Sequence, residues 1–402
     1  MVKVAVLGYG TVGSGIVEVI KTNQEMVNKK TGDEMDVKYI LDLRDFPGDP
    51  YEKLVVHDVD VILNDPEIKV IAEAMGGVEP AYTFTKKALL SGKSVCTSNK
   101  ELVAKHGPEL LGLAKEHNCN YMFEASVGGG IPIIRPLNSS LTPEKIDGIT
   151  GILNGTTNYI LTKMEREGSD FDEVLKDAQE KGYAERNPEA DVEGYDACRK
   201  IAILSSLAFG KTVDFEKIYT EGITKITTED FAYAKKLGST IKLFGMSKAV
   251  DGKYFAMVCP CMIFAEHPLF SVSDVFNGIL VHGNTLGNTM YYGAGAGKLP
   301  TASAVVSDMI ECGRNPGHTL PCYWDAEELT LSGMEDAKRR FFVRISADRK
   351  EKATELFGNV EMIEAGVAGE YGFISQVMTE KELKEKAEAL GGVISMIRVE
   401  EA

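Results

Sequence analysis

A glycine-rich turn near the N-terminus is the first stretch of this 402-residue chain whose residue types suit a chemical task. The letters GYGTVG at 8–13 follow an apolar run at 2–8 and lead into a helical pattern at 10–23. Glycines let backbone amides approach a ligand closely, and the start of a helix carries partial positive charge that suits a pyrophosphate. This strand–turn–helix context predicts dinucleotide binding. The residues expected to contact the cofactor are Gly8, Gly10, Thr11, Val12 and Gly13.

Two charged residues beside the second predicted strand, 37–43, bear on the choice of dinucleotide. A carboxylate at the end of that strand binds the ribose hydroxyls of NAD, whereas a nearby arginine accepts the 2′-phosphate of NADP. The chain offers both, as Asp42 and Arg44. Arg44 favours NADP, but an arginine in a solvated loop gives the same pattern. The sequence therefore leaves both NADP and NAD open as the cofactor.

An aspartate and a lysine share one face of a later predicted helix, 194–209, because Asp196 and Lys200 are four residues apart. The loop before this helix is rich in carboxylates, which suit the ammonium group of a substrate. In isolation such a pair is most often a surface ion pair. The rest of the helix is apolar, however, which fits a lysine on the wall of a cleft. A partly dehydrated lysine near a second cation loses basicity and can exchange a proton near neutral pH.

Three other turns are candidate ligand-binding segments. Ser98 and Lys100 end the predicted strand 93–98 and start the next helix, and strand ends face the ligand crevice of a doubly wound sheet. The letters NGTTNY at 154–159 precede a helix, as either a helix cap or a seat for a carboxylate. A second glycine-rich entry to a helix, GAGAGKLPTA at 293–302, lacks the ending of a Walker A loop.

The elements that position these residues change character along the chain. Up to about residue 146, apolar strands alternate with helices, which predicts an α/β fold with a parallel sheet of the Rossmann type. Grouped strands then follow helices, which predicts an α+β domain for substrate binding and dimerisation. The tail shows a βαββαβ order, which is the ferredoxin-like layout. Its predicted strands are 340–347, 360–367, 371–378 and 392–399.

These patterns divide the chain into a dinucleotide-binding domain, a substrate domain, a polar linker and a small tail domain. The predicted bounds are 1–145, 146–299, 313–338 and 339–402. The helix predicted at 300–312 is expected to return to the first domain.

Composition limits the kinds of partner that the chain can have. The formal net charge is −16, which argues against nucleic acid or an anionic membrane as the main partner. There is no run of 18 apolar residues, and the first strand begins at once after Met1, so neither a membrane span nor a signal peptide is expected. The seven cysteines form no CxxC pair, which suits reduced thiols in the cytoplasm.

Taken together, the motifs resemble those of the homoserine dehydrogenase family. The resemblance covers roughly residues 1–312, and the motifs follow one another in the family's order. They are GYGTVG, SNK at 98–100, EASVGGGIP at 124–132, NGTTNYI at 154–160, GYAE and GYDACRK within 182–200, and GAGAGKLPTASAVVSD at 293–308. The tail resembles an ACT domain, a common amino-acid-sensing module.

The resemblance implies NAD(P)-dependent interconversion of L-homoserine and L-aspartate 4-semialdehyde, on the route to threonine and methionine. It implies that Lys200 is the general acid/base, that Asp196 is its partner, and that Lys100 lies between nicotinamide and substrate. The residues implied to contact the amino acid are Thr156, Tyr183, Glu185 and Asp191. Further cofactor-binding positions are Arg44, Ser98, Lys100 and Gly297. Family members can hold a sodium ion, and the matching positions are Glu124, Val127, Gly129 and Ile131.

The resemblance and the strand pattern also imply partners. An ACT-like tail predicts feedback regulation by an amino acid, with threonine as the expected effector. The strands of the middle domain have outer faces that need cover, so a homodimer or homotetramer is expected.

Two other functions compete with this interpretation. A phosphorylating aldehyde dehydrogenase would use a cysteine nucleophile and a histidine base, for which Cys96 and His106 are the candidates. A nucleotide-responsive amino-acid sensor would explain the tail and the glycine turn, but it gives no task to the Asp196 and Lys200 pair.

Overall fold

A computed structural model of the chain describes residues 1–358 and 360–401, and the backbone forms two compact units. The first unit comprises Met1–Glu144, Ala202–Asp214 and Gly293–Leu329. The second comprises Lys145–Ile201, Phe215–Tyr292 and Thr330–Ala402. Within the described residues, no helix is both long enough and apolar enough to cross a bilayer.

The helices and strands alternate along much of the chain. The α-helices in the described ranges are α1 (Thr11–Thr22), α2 (Gln24–Thr31), α3 (Val59–Leu63), α4 (Ala81–Leu90), α5 (Lys100–Glu116), α6 (Gly155–Glu167), α7 (Phe171–Glu180), α8 (Glu189–Val192), α9 (Tyr195–Phe209), α10 (Thr228–Lys236), α11 (Lys298–Arg314), α12 (Lys350–Phe357) and α13 (Glu380–Leu390). The strands there are β1 (Val2–Leu7), β2 (Met35–Leu41), β3 (Val55–Val56), β4 (Ile68–Glu73), β5 (Ser94–Thr97), β6 (Tyr121–Met122), β7 (Ile146–Ile152), β8 (Lys211–Thr212), β9 (Tyr219–Thr220), β10 (Ser239–Val250), β11 (Lys253–Phe264), β12 (Phe276–Gly283), β13 (Gly287–Ala294), β14 (Asp325–Glu328), β15 (Lys338–Ser346), β16 (Glu370–Ile374), β17 (Met378–Thr379) and β18 (Val393–Val399).

The first unit is built on a six-stranded sheet in the order β3-β2-β1-β4-β5-β6. Every neighbouring pair in it is parallel. The chain moves outward from β1 to β3 and then continues on the other side as β4, so a crevice opens at the carboxyl ends of β1 and β4. The predicted α/β fold with a parallel, Rossmann-like sheet is confirmed.

Helix α11 belongs to the core of this first unit, although it lies almost 300 residues along the chain. Its buried residues Val305 and Met309 are in one apolar cluster with Val4 and Ile16. A Cβ on Gly15 of α1 would lie 2.9 Å from the carbonyl oxygen of Lys298, so the missing side chain lets the two helices pack closely. This is the helix that the sequence predicts at 300–312.

The second unit is built on a larger mixed sheet. Its main path is β13-β12-β7-β10-β11-β18-β15-β16, with β9 beside β11 and β17 beside β15. Strands β10 and β11 form the longest pairing, an antiparallel hairpin from Ser239 to Phe264. Gly245 of β10 faces helix α9, because a Cβ there would lie 3.2 Å from Ile201. The sheet therefore supports the beginning of α9, which carries Asp196 and Lys200.

The tail continues this same sheet. Strand β15 pairs antiparallel with β16 on one side and with β18 on the other. Strand β18 also pairs in parallel with β11, through Cys261 and Arg398. The backbone edge of β18 is thus covered by the middle of the chain rather than left open, and the segment predicted as a separate domain over 339–402 shares a sheet with its neighbour.

Two details of the tail and the linker differ from the sequence prediction. The prediction of a strand over 360–367 is wrong, because only one isolated bridge forms there, between Ile363 and Gly372. Exposed acidic residues and glycine interrupt its apolar alternation. The predicted linker over 313–338 contains strand β14, which pairs with β8, and its residues are divided between the two units after Leu329.

Candidate active site

The glycine turn of the first unit has the geometry that its sequence requires. Gly8 has a φ of +90°, a backbone conformation that residues with a side chain rarely adopt. A Cβ at this position would also lie 2.9 Å from the carbonyl oxygen of Ala74. A Cβ on Gly13 would lie only 1.8 Å from the carbonyl oxygen of Gly8. At Gly10 a Cβ would meet no atom within 4 Å, so the turn leaves open space in front of α1.

The start of α1 suits an anion. Its N-cap, Gly10, has no side chain to accept the first amides, and the first turn, with Thr11 and Val12, contains no acidic residue. The first amides of a helix lack partners within the helix and carry partial positive charge. The open space at Gly10 and these amides together can hold a pyrophosphate.

Asp42, at the carboxyl end of β2, joins this turn to Arg44. Its carboxylate accepts hydrogen bonds from the backbone amide of Tyr9 at 2.9 Å and from Nε and Nη2 of Arg44, both at 3.0 Å. The guanidinium holds the pKa of Asp42 well below its usual range. Arg44 is itself 63% exposed, so its side chain lies at the surface beside the turn.

A buried glutamate that the sequence prediction missed anchors the turn before Lys100. The carboxylate of Glu73 accepts hydrogen bonds from Oγ1 of Thr97 at 2.5 Å and from the amide of Met75 at 2.7 Å. Thr97 in turn accepts from the amide of Asn99 at 2.9 Å. Burial raises the pKa of Glu73 to about 7. The sequence signal for Glu73 is its position, because it is an acidic residue at the end of an apolar strand and stands three residues before the glycine pair at 76–77.

Asn99 completes this anchor by capping α5. Its Oδ1 accepts a hydrogen bond from the amide of Leu102 at 3.1 Å, and its Nδ2 donates to the carbonyl of Gly77 at 2.6 Å. The cap fixes the half-buried residues Ser98 and Lys100 at the carboxyl end of β5. That is the edge of the sheet at which doubly wound folds bind ligands.

Lys200, at the beginning of α9, lies in the second unit and has two hydrogen-bond partners there. Its Nζ donates hydrogen bonds to the carbonyl oxygen of Leu153 at 2.7 Å and to Oδ2 of Asp196 at 2.6 Å. The side chain of Lys200 is 12% exposed and that of Asp196 is 7% exposed. The pair is therefore mostly buried, and it is not the surface ion pair that the sequence left open.

Asn154 links this pair to the acidic loop. Its Nδ2 donates to Asp196 Oδ2 at 2.9 Å and to Asp191 Oδ1 at 2.7 Å, while its Oδ1 caps α6 by accepting from the amide of Thr157. Thr156 also interacts with Asp191. Burial, together with the charge of Asp196, raises the pKa of Asp191. An ammonium group beside Asp191 would offset this cost of burying a second carboxylate.

The structure places the two remaining substrate candidates on the exposed loop after α7. The backbone carbonyl of Tyr183 accepts a hydrogen bond from Oγ1 of Thr156 at 2.6 Å, and its ring lies 5.0 Å from that of Tyr159. Glu185 is exposed, and its backbone carbonyl accepts a hydrogen bond from Gln179. Thr156, Tyr183, Asp191, Asp196 and Lys200 thus lie together, and Glu185 lies at the margin of the group.

The loop after β6 surrounds a buried carboxylate. Glu124 accepts hydrogen bonds from the amides of Ile133, Ile134 and Arg135 at 2.6, 2.8 and 2.7 Å. Val127, Gly129 and Ile131 are buried within the same loop. Strand β6 ends at Met122, and a 3₁₀ turn from Glu124 to Ser126 then carries this carboxylate. Among the described residues, no three His, Cys, Asp or Glu side chains form a metal-binding group.

The second glycine-rich turn supports this loop. A Cβ on Gly129 would lie 2.6 Å from Gly295, and the amide of Gly130 donates to the carbonyl of Ala294 at 3.1 Å. Gly297 has φ of +119° and stands at the N-cap of α11. The glycines therefore allow two backbone segments of the first unit to pack directly on each other.

The environment of Cys96 contradicts a role as nucleophile. Its side chain is fully buried, and its Sγ lies 3.6 Å from that of Cys312. Burial raises the pKa of the Cys96 thiol well above its usual value, so the reactive thiolate is disfavoured. His106 instead stacks on the ring of Tyr82 at 4.1 Å and faces Glu109. The phosphorylating aldehyde dehydrogenase interpretation lacks its catalytic pair.

Comparison with known families agrees with this geometry. Residues 8–124 match the family "Homoserine dehydrogenase, NAD binding domain", and residues 132–310 match the family "Homoserine dehydrogenase". The homoserine dehydrogenase of Synechocystis is 47% identical over 77% of the chain and 72% of its own length, and that of Bacillus subtilis is 44% identical over 78% and 73%. The chain belongs to the homoserine dehydrogenase family. Its activity is that of an NAD(P)-dependent oxidoreductase.

Solved members of the homoserine dehydrogenase family share the fold. The crystal structure of a homoserine dehydrogenase from Thiobacillus denitrificans superposes with a TM-score of 0.91 at 35% identity, covering 100% of this chain and 98% of that one. A hyperthermophilic archaeal homoserine dehydrogenase in complex with NADPH has a TM-score of 0.66 at 28% identity, covering 77% of this chain and 97% of its own. Because the chain belongs to this family of enzymes, the alternative function as a nucleotide-responsive amino-acid sensor without catalytic activity is excluded.

Proposed function

We propose that Lys200 is the acid/base in the interconversion of L-homoserine and L-aspartate 4-semialdehyde. The observation that carries this proposal is the position of its Nζ, held by Leu153 and Asp196 at 2.7 and 2.6 Å. A lysine ammonium has three N–H donors, so this arrangement leaves one for a substrate oxygen. In the oxidation of homoserine the neutral amine of Lys200 accepts the hydroxyl proton and becomes the ammonium, and in the reverse direction the ammonium returns that proton to the aldehyde-derived oxygen.

The cofactor, NADP or NAD, supplies hydride chemistry when it is bound. We propose that the turn from Gly8 to Gly13 binds its pyrophosphate and that Arg44 contacts the adenosine ribose or its phosphate. Ser98 and Gly297 are the further contacts inferred from the family. Lys100 then stabilises negative charge as it develops on the substrate oxygen. Asp196 acts by orienting Lys200, since a neighbouring carboxylate favours the charged lysine and does not increase its acidity.

The acidic loop supplies the other half of substrate recognition. We propose that Asp191 binds the ammonium group of homoserine and that Thr156, Tyr183 and Glu185 surround the rest of the amino acid. The supporting observation is the partly buried carboxylate of Asp191, which accepts a hydrogen bond from Asn154 at 2.7 Å and whose pKa is raised by burial and by Asp196. A cationic substrate group compensates that burial, and this gives the site its preference for an amino acid.

Replacing Asp191 by asparagine tests this assignment. Asp191→Asn keeps the shape and the contact with Asn154, but it removes the charge that the ammonium needs. We expect KM for homoserine to rise by about tenfold or more, since a hydrogen bond to a charged group contributes about 1.5–3 kcal/mol, while KM for the dinucleotide stays unchanged. Glu189→Gln, which removes an exposed carboxylate from the same helix α8, is the matched control. Equal KM values for homoserine in both variants contradict the assignment.

We also propose a sodium ion at Glu124, with carbonyl oxygens of Val127, Gly129 and Ile131 as the other ligands. Buried carboxylate and carbonyl oxygens are the donors that hard cations prefer. Such an ion would be structural, because it would fix the loop that packs on the second glycine turn.

We propose that the tail acts as an ACT-like regulatory module and that the enzyme serves threonine and methionine synthesis. The strand order β18-β15-β16, with the Ile363 bridge beyond β16, agrees with the ferredoxin-like layout. With L-threonine as effector, homoserine oxidation is expected to fall as L-threonine is added and to stay constant with D-threonine. Activity that is unchanged by every amino acid derived from aspartate would exclude the regulatory role.

We propose a homodimer or homotetramer that works in the cytoplasm. Edge strand β13 and its neighbour expose Phe276, Met290 and Tyr292, and the rings of Phe276 and Tyr292 stack at 5.4 Å. An apolar patch on an open sheet edge suits a second copy of the chain. The unpaired thiols of the described cysteines suit a reducing compartment.

A further inference from the structure

A short segment of the second unit, residues 219–224, lies between the tail and the acidic loop of the candidate site. This bridging segment begins with β9, which pairs in parallel with β11. The amide of Glu221 continues that contact by donating to the carbonyl of Val258 at 2.8 Å. The segment, the tail strand β18 and helix α8 all belong to the same unit. None of its residues is assigned above to substrate, cofactor or sodium.

The tail holds one side of the bridging segment through Arg398 of β18. Nη1 of Arg398 donates to Oε2 of Glu221 at 2.7 Å, while Nε and Nη2 donate to Glu380 of α13 at 3.1 and 2.7 Å. The side chains of Arg398 and Glu380 are 7% and 4% exposed. The hydroxyl of Tyr219 donates to the same oxygen of Glu221 at 2.9 Å. Charge-assisted hydrogen bonds from a planar, mostly buried guanidinium therefore fix the position of Glu221.

The other side of the bridging segment packs on the end of α8. A Cβ on Gly222 would lie 2.2 Å from the carbonyl oxygen of Val192 and 2.5 Å from Cα of Glu193, so the missing side chain permits this approach. The fully buried Ile223 donates from its amide to that same carbonyl at 2.8 Å. Oγ1 of Thr224 donates to Oε1 of Glu193 at 3.1 Å. The segment is thus joined to α8 by close packing and by two hydrogen bonds.

We propose that Glu221 is a positioning residue for homoserine binding, which holds Asp191 in place for the substrate ammonium. Asp191 directly precedes Val192, the residue that the bridging segment binds. The carboxylate of Asp191 is held from another direction by Asn154 at 2.7 Å. When Glu221 no longer binds Arg398, the end of α8 gains freedom, and binding of the substrate must then order it at a cost in affinity. The inference rests on the role proposed above for Asp191.

Replacing Glu221 by alanine removes the acceptor through which the tail holds the segment. We expect KM for homoserine to rise by about three- to tenfold, within the range of effects of residues that act through packed contacts. Little change in kcat is expected, because Lys200 is held by Leu153 and Asp196 rather than by the bridging segment. KM for the dinucleotide is expected to stay the same, because the glycine turn lies in the first unit. Steady-state kinetics of the full chain measure these constants.

Glu370→Ala is the matched control. Glu370 accepts a hydrogen bond from Arg344, a mostly buried arginine of the tail that also keeps a second carboxylate partner, Asp230. Its loss is therefore expected to lower the unfolding temperature about as much as Glu221→Ala does. Glu370 lies in β16, which is separated from β18 by β15, so KM for homoserine is expected to stay at the parent value. An equal rise of KM in this control would show a general effect of lost stability and would overturn the proposal.

The double variant Asp191→Asn/Glu221→Ala distinguishes positioning of Asp191 from any other effect. Asparagine offers the ammonium no charge, so releasing it is expected to add nothing to the KM of Asp191→Asn. A further rise of the size seen in Glu221→Ala alone would mean that Glu221 acts elsewhere. Unchanged KM in Asp191→Asn alone would contradict both the ammonium assignment and the proposal. Raised KM in Asp191→Asn, with unchanged KM in folded Glu221→Ala, would overturn the positioning role alone.

Glu221→Gln protects the test if Glu221→Ala does not fold. The amide oxygen can still accept from Arg398 and Tyr219, so the shape of the segment is kept. KM for homoserine is expected to rise by about twofold or more, because charge-assisted hydrogen bonds are roughly twice as strong as neutral ones. This rise is also expected to vanish in the Asp191→Asn background. If Glu221→Ala does not fold, an unchanged KM in Glu221→Gln rejects the proposal.

Discussion

Replacing Lys200 by alanine is expected to lower kcat for homoserine oxidation by about 10²–10⁴-fold, the usual contribution of one positioned acid/base group. The affinity for the dinucleotide is expected to stay the same, because the contacts of Lys200 are with Leu153 and Asp196 in the second unit. Steady-state rates at 340 nm, together with a fluorescence titration of the cofactor, give both quantities.

Two control variants separate proton transfer from positive charge and from general damage. Lys200→Arg keeps the charge but cannot release a proton near neutral pH, so it is expected to be nearly as slow as Lys200→Ala. Lys163→Ala removes a lysine that pairs with Glu167 on the surface of α6, and it is expected to leave kcat unchanged. Turnover of Lys200→Ala within a few-fold of the parent protein would remove Lys200 from the mechanism.

Replacing Gly10 by alanine is expected to weaken dinucleotide binding by about 10–10²-fold. This factor corresponds to the loss of one or more hydrogen bonds to a charged group. The added methyl meets no protein atom within 4 Å, and φ at Gly10 is −82°, an ordinary value. The free energy of unfolding is therefore expected to be unaffected. The methyl would occupy the space in front of α1 that we assign to the pyrophosphate.

Gly112→Ala is the matched control for this substitution. Gly112 lies in α5 of the same unit, and a Cβ there also meets no atom within 4 Å. Alanine in a helix is favoured over glycine, so this variant is expected to unfold at a slightly higher temperature and to bind the cofactor normally. Titration calorimetry and thermal unfolding measure the two properties. Equal cofactor affinity in the two variants would mean that the pyrophosphate does not lie at Gly10.

The first unit was the more predictable half of the fold, because its signals are local. Apolar strands alternating with helices predict a parallel sheet. The glycine spacing at 8–13, between a strand and a helix, predicts a dinucleotide-binding turn. The role of Glu73 was not predictable in the same way. A lone glutamate after an apolar strand carries no motif, and its partner Thr97 is 24 residues away.

The second unit depends more on distant pairings. The four-residue spacing of Asp196 and Lys200 predicts that they share a face, and the structure places them so. Asn154, which joins Asp196 to Asp191, lies 42 residues before Asp196, and no local pattern predicts that contact. The parallel pairing of Cys261 with Arg398 is likewise set by tertiary packing. Because no local sequence pattern indicates this pairing, the sequence predicts the tail as a separate domain.

The central claim is that Lys200 exchanges a proton with the substrate oxygen, and a crystal structure with NADP and L-homoserine bound tests it most directly. The predicted result is Nζ of Lys200 within about 2.6–3.2 Å of the homoserine hydroxyl, with Asp191 against the substrate ammonium. The contrary result is a different side chain at that oxygen, with Lys200 bonded only to Leu153 and Asp196.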